Sequence, residues 1–305
     1  MSFEITILGS GSASPRVDRM PSAHHVKIHN HYLLIDCGEG AQFQMMRYGL
    51  NLQKLDYVCI THLHGDHIFG LIGLISTLSM WDRRKTLQLF SPPGLKEIVL
   101  AQLDHHKAPL NYSLDFVELD ASRSSIIIDN DQFQVLTVPL SHGIECVGYV
   151  ISEKTRPRNI IKEKLPPDIS ISHIRTLKRG EDVTEKGKVL YRSADYTHDT
   201  QPTYSYAYLS DTKYHEAVLP FIHEVTVLYH EATFLEEHSE RAGLTMHSTV
   251  ADAAKIASLA KAKKLIIGHF SSRYDNLDLF VEEGKKLFDD IELAVDGLKM
   301  VLRST

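Results

Sequence analysis

Cysteine is scarce in this 305-residue chain. Only Cys37, Cys59 and Cys146 occur, and no two form a C-x-x-C pair. That excludes a disulfide framework and a thiolate zinc site, and the three read as reduced, mostly buried thiols of a cytoplasmic protein. Long apolar runs are missing too: no stretch reaches the roughly 18 residues that a membrane-spanning helix requires, so no membrane association is expected. The opening Met1-Ser2-Phe3-Glu4-Ile5 lacks the charged and apolar regions of a secretory signal. No short-period repeat is present. A formal net charge of −6 argues against a protein that coats nucleic acid non-specifically. What remains is an ordinary globular composition, 43% hydrophobic, in a chain long enough for one large α/β domain or two small ones.

The charge is not evenly spread. Between Ser152 and Arg192 there are 11 Lys+Arg against 6 Asp+Glu, so this stretch is basic on an otherwise acidic body. It carries Arg156-Pro157-Arg158, Lys162-Glu163-Lys164, Pro166-Pro167 and Thr176-Leu177-Lys178-Arg179-Gly180, and sustains no long amphipathic period. It reads as a protruding, flexible arm at about 153–192 inserted in a single domain spanning 1–305. A solvated surface insertion is the plainer alternative. A basic arm on an acidic body can hold a polyanion in one place and repel it elsewhere.

The chemistry concentrates in Thr61-His62-Leu63-His64-Gly65-Asp66-His67, where four ligand-capable side chains fall within six residues as H-x-H-x-D-H. Leu55 to Ile60 upstream reads as a short buried strand and Ile68 to Trp81 downstream as a buried helix. The cluster therefore belongs on a loop at a strand's carboxyl end, where open α/β sheets place their sites. His62 and His64, two apart in an extended segment, point the same way and can grip one ion together. Asp66 and His67 follow the Gly65 turn and address a neighbouring position. A two-and-two division suggests two adjacent metals; imidazole and carboxylate without thiolate suit zinc, and also manganese or iron. Solvated histidines on a polar loop, or one structural zinc, are the competing readings.

Other stretches converge on the same picture. Gly9-Ser10-Gly11-Ser12 hints at a dinucleotide turn, but the third glycine and the helix are missing, so a strand-end loop at the mouth of a site is expected. Asp36, ending a strand, can orient a metal-bound histidine or cap the next helix. Ser141-His142-Gly143 interrupts two strands, and such a histidine can supply a third imidazole. Tyr204 to Ser210 reads as a strand ending in Asp211, whose two oxygens can bridge two metals. A helix is expected over Lys213 to His223, and Ser248 or Thr249 is expected to cap the Ala-rich helix that follows.

The H-x-H-x-D-H loop resembles the signature of the metallo-β-lactamase superfamily, which implies an α/β fold of αββα four-layer sandwich type and usually a hydrolase. Within it, the chain resembles the ribonuclease Z family almost end to end. The resemblance rests on Leu8-Gly9-Ser10-Gly11, Asp36-Cys37-Gly38-Glu39-Gly40, the metal loop, Ser141-His142-Gly143, His230-Glu231-Ala232-Thr233-Phe234, His247-Ser248-Thr249 and His269-Phe270-Ser271-Ser272-Arg273-Tyr274. It implies a zinc-dependent endoribonuclease with two Zn2+ per subunit, manganese able to replace them. His62, His64 and His142 would hold one ion, Asp66, His67 and His269 the other, and Asp211 would bridge. Asp66 would also accept a proton, and His247, oriented by Glu231, would assist the leaving group.

Water activated between the ions would cut the 3′ trailer from precursor tRNA, leaving a 3′-hydroxyl on the tRNA and a 5′-phosphate on the trailer. Family members work as homodimers in which one subunit's arm holds the tRNA that the other cleaves, and Arg175, Lys178, Arg179 and Arg273 are the candidate substrate contacts here. Three departures stand out. Ser210 precedes Asp211 where the family has Gly. Pro15 to Met20 matches the family's P-x-K-x-R-N loop only loosely, with Val17 and Met20 in place of Lys and Asn. Pro166-Pro167-Asp168 replaces the arm's Gly-Pro motif. The rival readings are a hydrolase of the same fold acting on a small substrate, such as a phosphodiesterase, and a non-catalytic RNA-binding protein.

Overall fold

Strands whose two faces both meet apolar layers read as nearly continuous hydrophobic runs, and alternate residues then go to different layers. The segment Tyr206 to Leu209 illustrates this: Tyr206 and Tyr208 join one hydrophobic cluster, Ala207 and Leu209 another. A computed structural model describes residues 3–106, 109–199 and 202–303. The first sheet contains β1 (Phe3–Gly9), β2 (Ala23–Ile28), β3 (His31–Ile35), β4 (Tyr57–Cys59), β5 (Leu87–Ser91), β6 (Leu114–Glu118) and the late strand β16 (Lys299–Leu302). Its order is β16-β1-β2-β3-β4-β5-β6, parallel from β3 onward. The second contains β7 (Ile126–Asp129), β8 (Phe133–Pro139), β9 (Val147–Glu153), β12 (Ser205–Leu209), β13 (Val227–Glu231), β14 (Leu265–Gly268) and β15 (Ile291–Leu293). Its order is β15-β14-β13-β12-β9-β8-β7, with β12 to β15 parallel.

Three buried clusters define four layers. Ile5, Ile7, Val26, Ile35, Val135, Tyr149, Tyr206, Tyr208 and Tyr229 pack between the two sheets. Helices α1 (Ala41–Arg47), α3 (Leu71–Met80) and α4 (Leu95–His106) cover the outer face of the first sheet through Met45, Leu74, Leu78 and Val99. The second sheet's outer face is covered by α7 (Leu219–Ile222), α9 (Val250–Ala260) and α10 (Asp278–Gly284), through Ile222, Ile256 and Phe280. This is the αββα sandwich.

Local detail departs from the sequence expectation where backbone chemistry intervenes. The single helix expected over Ile68–Trp81 divides into α2 (Gly65–Ile68) and α3, with the Gly70 N–H turned to the Cys37 carbonyl at 2.9 Å. The helix expected over Lys213–His223 shrinks to a 3-10 turn at Glu216–Val218 and α7. Pro220 in its first turn donates nothing, and the Lys213 N–H goes to the Ser141 carbonyl at 2.9 Å. Thr249, not Ser248, caps α9: its side chain accepts from the Asp252 N–H, and Asp252 returns the bond, closing a capping box.

The basic insertion, residues 154–204, is not without structure. It holds α5 (Ile171–Lys178), a two-stranded sheet of β10 (Val183–Glu185) and β11 (Lys188–Tyr191), and α6 (Ser193–Tyr196). Leu177, Val183, Ser193 and Thr197 are buried within it. Helix α8 (Ser239–Leu244) completes the inventory and leads into the His247 loop.

Two histidines of β2 lie wholly inside. Burial lowers the pKa of His24 to about 3 and that of His25 to about 4. His24 keeps one bond, Nδ1 to Tyr206 Oη at 2.7 Å. Both are neutral when folded but titrate near 6.5 once unfolded, so the unfolded chain binds more protons on acidification. Stability is then full above about pH 6.5 and declines as pH falls towards 4. In chelator-treated protein, His24→Phe is expected to flatten this decline by about one proton, roughly 1.4 kcal/mol per pH unit. Urea unfolding at pH 7, 6 and 5 reads this; an unchanged slope would show that His24 is not the titrating group.

Candidate metal centre

Every candidate metal ligand, with Asp36 and Glu231, sits at or just past the carboxyl end of a strand: Asp36 after β3, the His62–His67 loop after β4, His142 after β8, Asp211 after β12, Glu231 at the end of β13, His269 after β14. His247 comes instead from the loop after α8. The metal loop is pressed from behind by the Gly38 turn. A Cβ at Gly38 would lie 2.5 Å from the Asp66 carbonyl and 2.7 Å from Pro21 Cβ, so only glycine fits. Asp36 and His269 leave their strands in the left-handed region, with φ of 57 and 62, a conformation that non-glycine residues adopt at a cost and keep where surroundings over-determine it.

Two principal groups of ligand atoms result, and a third, Asp211, His247 and His269, overlaps both. His62, His64, His142 and Asp211 form one, Asp66, His67 and His269 another, each with all its ligand atoms within 4.8 Å of one another. Asp211 faces both: its Oδ2 lies 3.6 Å from His62 Nε2 and 3.9 Å from His142 Nε2, its Oδ1 3.4 Å from His67 Nε2 and 3.3 Å from His269 Nε2. Asp66 Oδ2 stands 3.4 Å from both His67 Nε2 and His269 Nε2. Ligands at about 2.0–2.1 Å around a tetrahedral ion are separated by roughly 3.4 Å, which is the spacing found here.

The outer ring nitrogens explain why the inner ones face each other. His67 Nδ1 donates to Asp36 Oδ2 at 2.8 Å. Thr61 Oγ1 gives its one proton to Asp36 and so accepts from His62 Nδ1, at 3.0 Å each. On the other side, His247 Nδ1 donates to Glu231 Oε1 at 2.8 Å. Thr233 Oγ1 gives its proton to Glu231 Oε2 at 2.6 Å and accepts from His269 Nδ1 at 2.8 Å. His142 Nδ1 donates to the Met246 carbonyl at 3.0 Å. Protonated outward, His62, His67, His142 and His269 each present Nε2 inward, as metal ligation would require, while His64 turns its Nδ1 to the cluster, 3.0 Å from His62 Nε2. Asp36 thus orients a candidate ligand histidine, His67, and caps no helix; Gly40 precedes α1.

Electrostatics agree with a cation site. Burial lowers the His62 pKa to about 2, keeping it neutral. Burial works against charge at His67 as well, but the carboxylates of Asp211 and Asp36 outweigh it and raise its pKa well above the ordinary value. The negative charge that would hold a proton there equally favours a metal ion in its place. The buried His67 Nε2 has no hydrogen-bond partner, the orphan expected of a nitrogen meant for a metal. Asp66 is held below the usual carboxylate range, burial being outweighed by the His269 and His67 rings 3.4 Å from its Oδ2. At His247, burial again opposes charge, and Glu231, with smaller help from Asp211 and Asp66, raises the pKa to about 9.

A cavity of about 620 Å³ opens over the cluster. Ser12, Ala13 and Ser14, from the loop after β1, form part of its wall, with Asp66, His247 and Arg273. Arg273 lies over the Phe234 ring at 5.2 Å and bonds Ser271 Oγ. Arg241, which nothing in the sequence singled out, lines the same cavity. So do Thr245, equally silent in sequence terms, and Thr233 of the His230–Phe234 stretch. The arm residues Arg175, Lys178 and Arg179 belong to α5 and its C-terminus, outside this lining. All three are exposed, and Arg179 is paired with Glu181 at 2.9 Å. In the Pro15–Met20 loop, Arg19 is buried and donates to the Tyr274 carbonyl at 3.0 Å, while Val17 is fully exposed.

Comparisons with known proteins bear on the whole chain. The family model described as "Anti-Pycsar protein Apyc1" matches residues 3–155, the half that carries the metal loop and His142 but not Asp211, Glu231, His247 or His269. The crystal structure of human tRNase Z, short form, superposes with a TM-score of 0.71 at 25% identity, covering 97% of this chain and 98% of that one. The metallo-β-lactamase fold protein YhfI from Bacillus subtilis superposes at 0.70 with 17% identity, over 99% of this chain and 100% of that one, a likeness of fold. Ribonuclease Z from Cytophaga hutchinsonii is 44% identical over 298 residues, 97% of this chain and 95% of its own length. With a fold of the metallo-β-lactamase type and that identity over nearly its whole length, the chain belongs to the ribonuclease Z family.

Proposed function

We propose that this chain is a zinc-dependent endoribonuclease that removes 3′ trailers from precursor tRNA, with two ions per subunit, manganese able to replace zinc. The observation that carries it is the division of Asp211, one oxygen facing each histidine group. Two divalent cations supply the positive charge that a scissile phosphate needs and lower the pKa of water towards neutrality. His62, His64 and His142 would hold one ion, Asp66, His67 and His269 the other, with Asp211 shared.

The protein's own groups do the rest. Asp66 is ionised at working pH and stands in the cavity wall, placed to accept the proton of the attacking water. His247, held charged by Glu231, faces the same cavity with a proton to give to the departing 3′-oxygen. The products would be a tRNA 3′-hydroxyl and a trailer 5′-phosphate, since water rather than ribose attacks. Arg273 and Arg241 on the wall suit the flanking phosphates. The arm, with Arg175, Lys178 and Arg179 exposed, would hold the tRNA body in a homodimer, one subunit gripping the tRNA cut by the other. Hydrolysis of a small phosphodiester is the second reading, favoured by the match of the first half to a family not named as a ribonuclease.

Asp66→Ala is expected to lower kcat on 3′-extended pre-tRNA by at least about 100-fold and to reduce bound metal. Purified wild type with and without zinc is the companion assay, and a product ending in a 2′,3′-cyclic phosphate would overturn the hydrolytic route. In the pH profile, His247 is charged below its pKa, so activity should fall as pH rises through a limb at or below about 9, because bound cations offset the help from Asp211 and Asp66. Glu231→Gln removes the main partner and should move that limb to lower pH; an unmoved limb would assign it elsewhere.

The arm can be removed cleanly, because Glu153 and Tyr204 are hydrogen-bonded neighbours at 3.0 Å. Replacing 155–202 by a short Gly-Ser linker should raise KM for pre-tRNA and spare bis(p-nitrophenyl) phosphate. It should also flatten the log–log salt dependence by about 0.7–0.9 per lost phosphate contact. Efficient turnover of the small diester with none of pre-tRNA by the intact protein would favour the second reading.

A further inference from the structure

Each of the two histidine groups draws on both sheets, so the sheets must meet to within a fraction of an ångström. His62, His64, Asp66 and His67 follow β4 of the first sheet; His142, Asp211 and His269 follow β8, β12 and β14 of the second. Hydrogen bonds within a sheet cannot fix one sheet against the other, and apolar packing between them is non-directional. A directional bond across the interface is therefore the place to look.

Tyr208 makes one. Its ring lies between the sheets, 1% exposed, stacked on Tyr229 at 4.7 Å and 5° and edge-on to His24 at 4.8 Å. Its hydroxyl donates to Asp36 Oδ2 at 3.1 Å. Asp36 is completely buried and is the group that orients His67 directly and His62 through Thr61. Tyr208 is also three residues before Asp211 on the same strand end. One phenol thus ties the strand that delivers Asp211 to the carboxylate that aims a histidine of each group. Ser210, the residue that departs from the family's glycine, leans the same way: its Oγ lies 3.5 Å from Thr61 Oγ1 and donates to Asp211 Oδ1 at 3.2 Å.

We infer that Tyr208 is a positioning residue of the metal centre, acting through Asp36 to hold the two sheets' ligands in register. The inference rests on the proposed metal centre but not on its substrate. Burial keeps the phenol protonated, so it remains a donor across the working pH range. Without it Asp36 keeps its bonds to Thr61 and His67 but loses its one donor, among the described residues, from the second sheet.

The test is metal affinity rather than turnover. Zn2+ binding to the full chain is measured by competition with a chromophoric chelator, and ligand geometry by the visible absorption of the Co2+-loaded protein. Tyr208→Phe preserves the ring and its stacking; it should weaken metal binding by about 10–100-fold and alter the Co2+ spectrum, while thermal unfolding of the metal-free protein changes little. Asp36→Asn should weaken binding at least as much, and Tyr208→Phe should add little on top of Asp36→Asn, because the phenol acts through that carboxylate. Should Tyr208→Phe fail to fold, Ser210→Gly and Asp36→Asn in the wild-type ring context supply the same comparison, with Ser210→Gly expected to weaken binding by a smaller factor. Metal affinity within about twofold of wild type, or additive losses in the double variant, would overturn the inference. A wild type that binds no metal would overturn it together with the metal centre, whereas metal binding without RNA cleavage would sink only the proposed substrate.

Discussion

The site depends on where the outer proton of each imidazole goes. A histidine can offer its inner lone pair to a metal only if its other nitrogen carries hydrogen, and a buried N–H needs an acceptor. Two buried carboxylates supply them by the same device. Asp36 takes His67 directly and His62 through Thr61; Glu231 takes His247 directly and His269 through Thr233. Burying a carboxylate costs several kcal/mol unless its lone pairs are satisfied. Here Asp36 accepts from the Thr61 N–H, Thr61 Oγ1, His67 and Tyr208, and Glu231 from the Thr212 and Thr233 N–H groups, Thr233 Oγ1 and His247. The two carboxylates are thus the fixed points around which the ligands are arranged.

The fold provides this because its two sheets repeat one arrangement. In the first, Asp36 follows β3 and Thr61 follows its parallel neighbour β4. In the second, Glu231 ends β13 and His269 follows its parallel neighbour β14. Adjacent parallel strands deliver a carboxylate and its client at the same height, so the bonds form without long side chains. The sharp exits at Asp36 and His269, both at positive φ, turn the chain away immediately after the functional residue. The HST loop completes the second arrangement in three consecutive residues. His247 faces Glu231, Ser248 donates to the Thr212 carbonyl at 2.6 Å, and Thr249 caps α9.

Legibility in the sequence followed locality. His62, His64, Asp66 and His67 lie within six residues, so their common purpose could be read from spacing. His142 and Asp211 could be suspected from strand-end positions, whereas His269, Glu231 and His247 were reachable only through family resemblance, since topology rather than spacing unites them. Tyr208 was not legible at all, and Thr61 and Thr233, though inside the metal loop and the His230–Phe234 stretch, carried no readable role: each matters through a hydrogen bond whose partner is set by the register between elements, and a buried tyrosine on a strand looks like any other core residue. Arg241 was hidden for a related reason, being one surface arginine on a short helix until the fold turns it to the cavity. The layers were easier because burial on both faces writes itself into continuous apolar strands. The insertion's small core was obscured because Leu177, Val183, Ser193 and Thr197 come from short elements with no period to detect.

The charge distribution carries the last step. In the bare protein the cavity holds two ionised carboxylates, Asp66 and Asp211, countered by the charged His247 and by a His67 whose pKa is raised. Protons on His67 and His247 offset those carboxylates at short range, and Arg241 and Arg273 at the rim are largely screened by water. Whether a scissile phosphate is admitted would then depend on a cation taking the place of those protons, which would add positive charge where the carboxylates lie. The basic insertion escapes this constraint: its Arg175 and Lys178 are solvent-exposed and outside the cavity lining. On the proposed function, attraction of a polyanion at the arm and admission of its scissile bond at the cavity would thus be governed by separate charges, the first by exposed arginines and lysines, the second by what sits between the carboxylates.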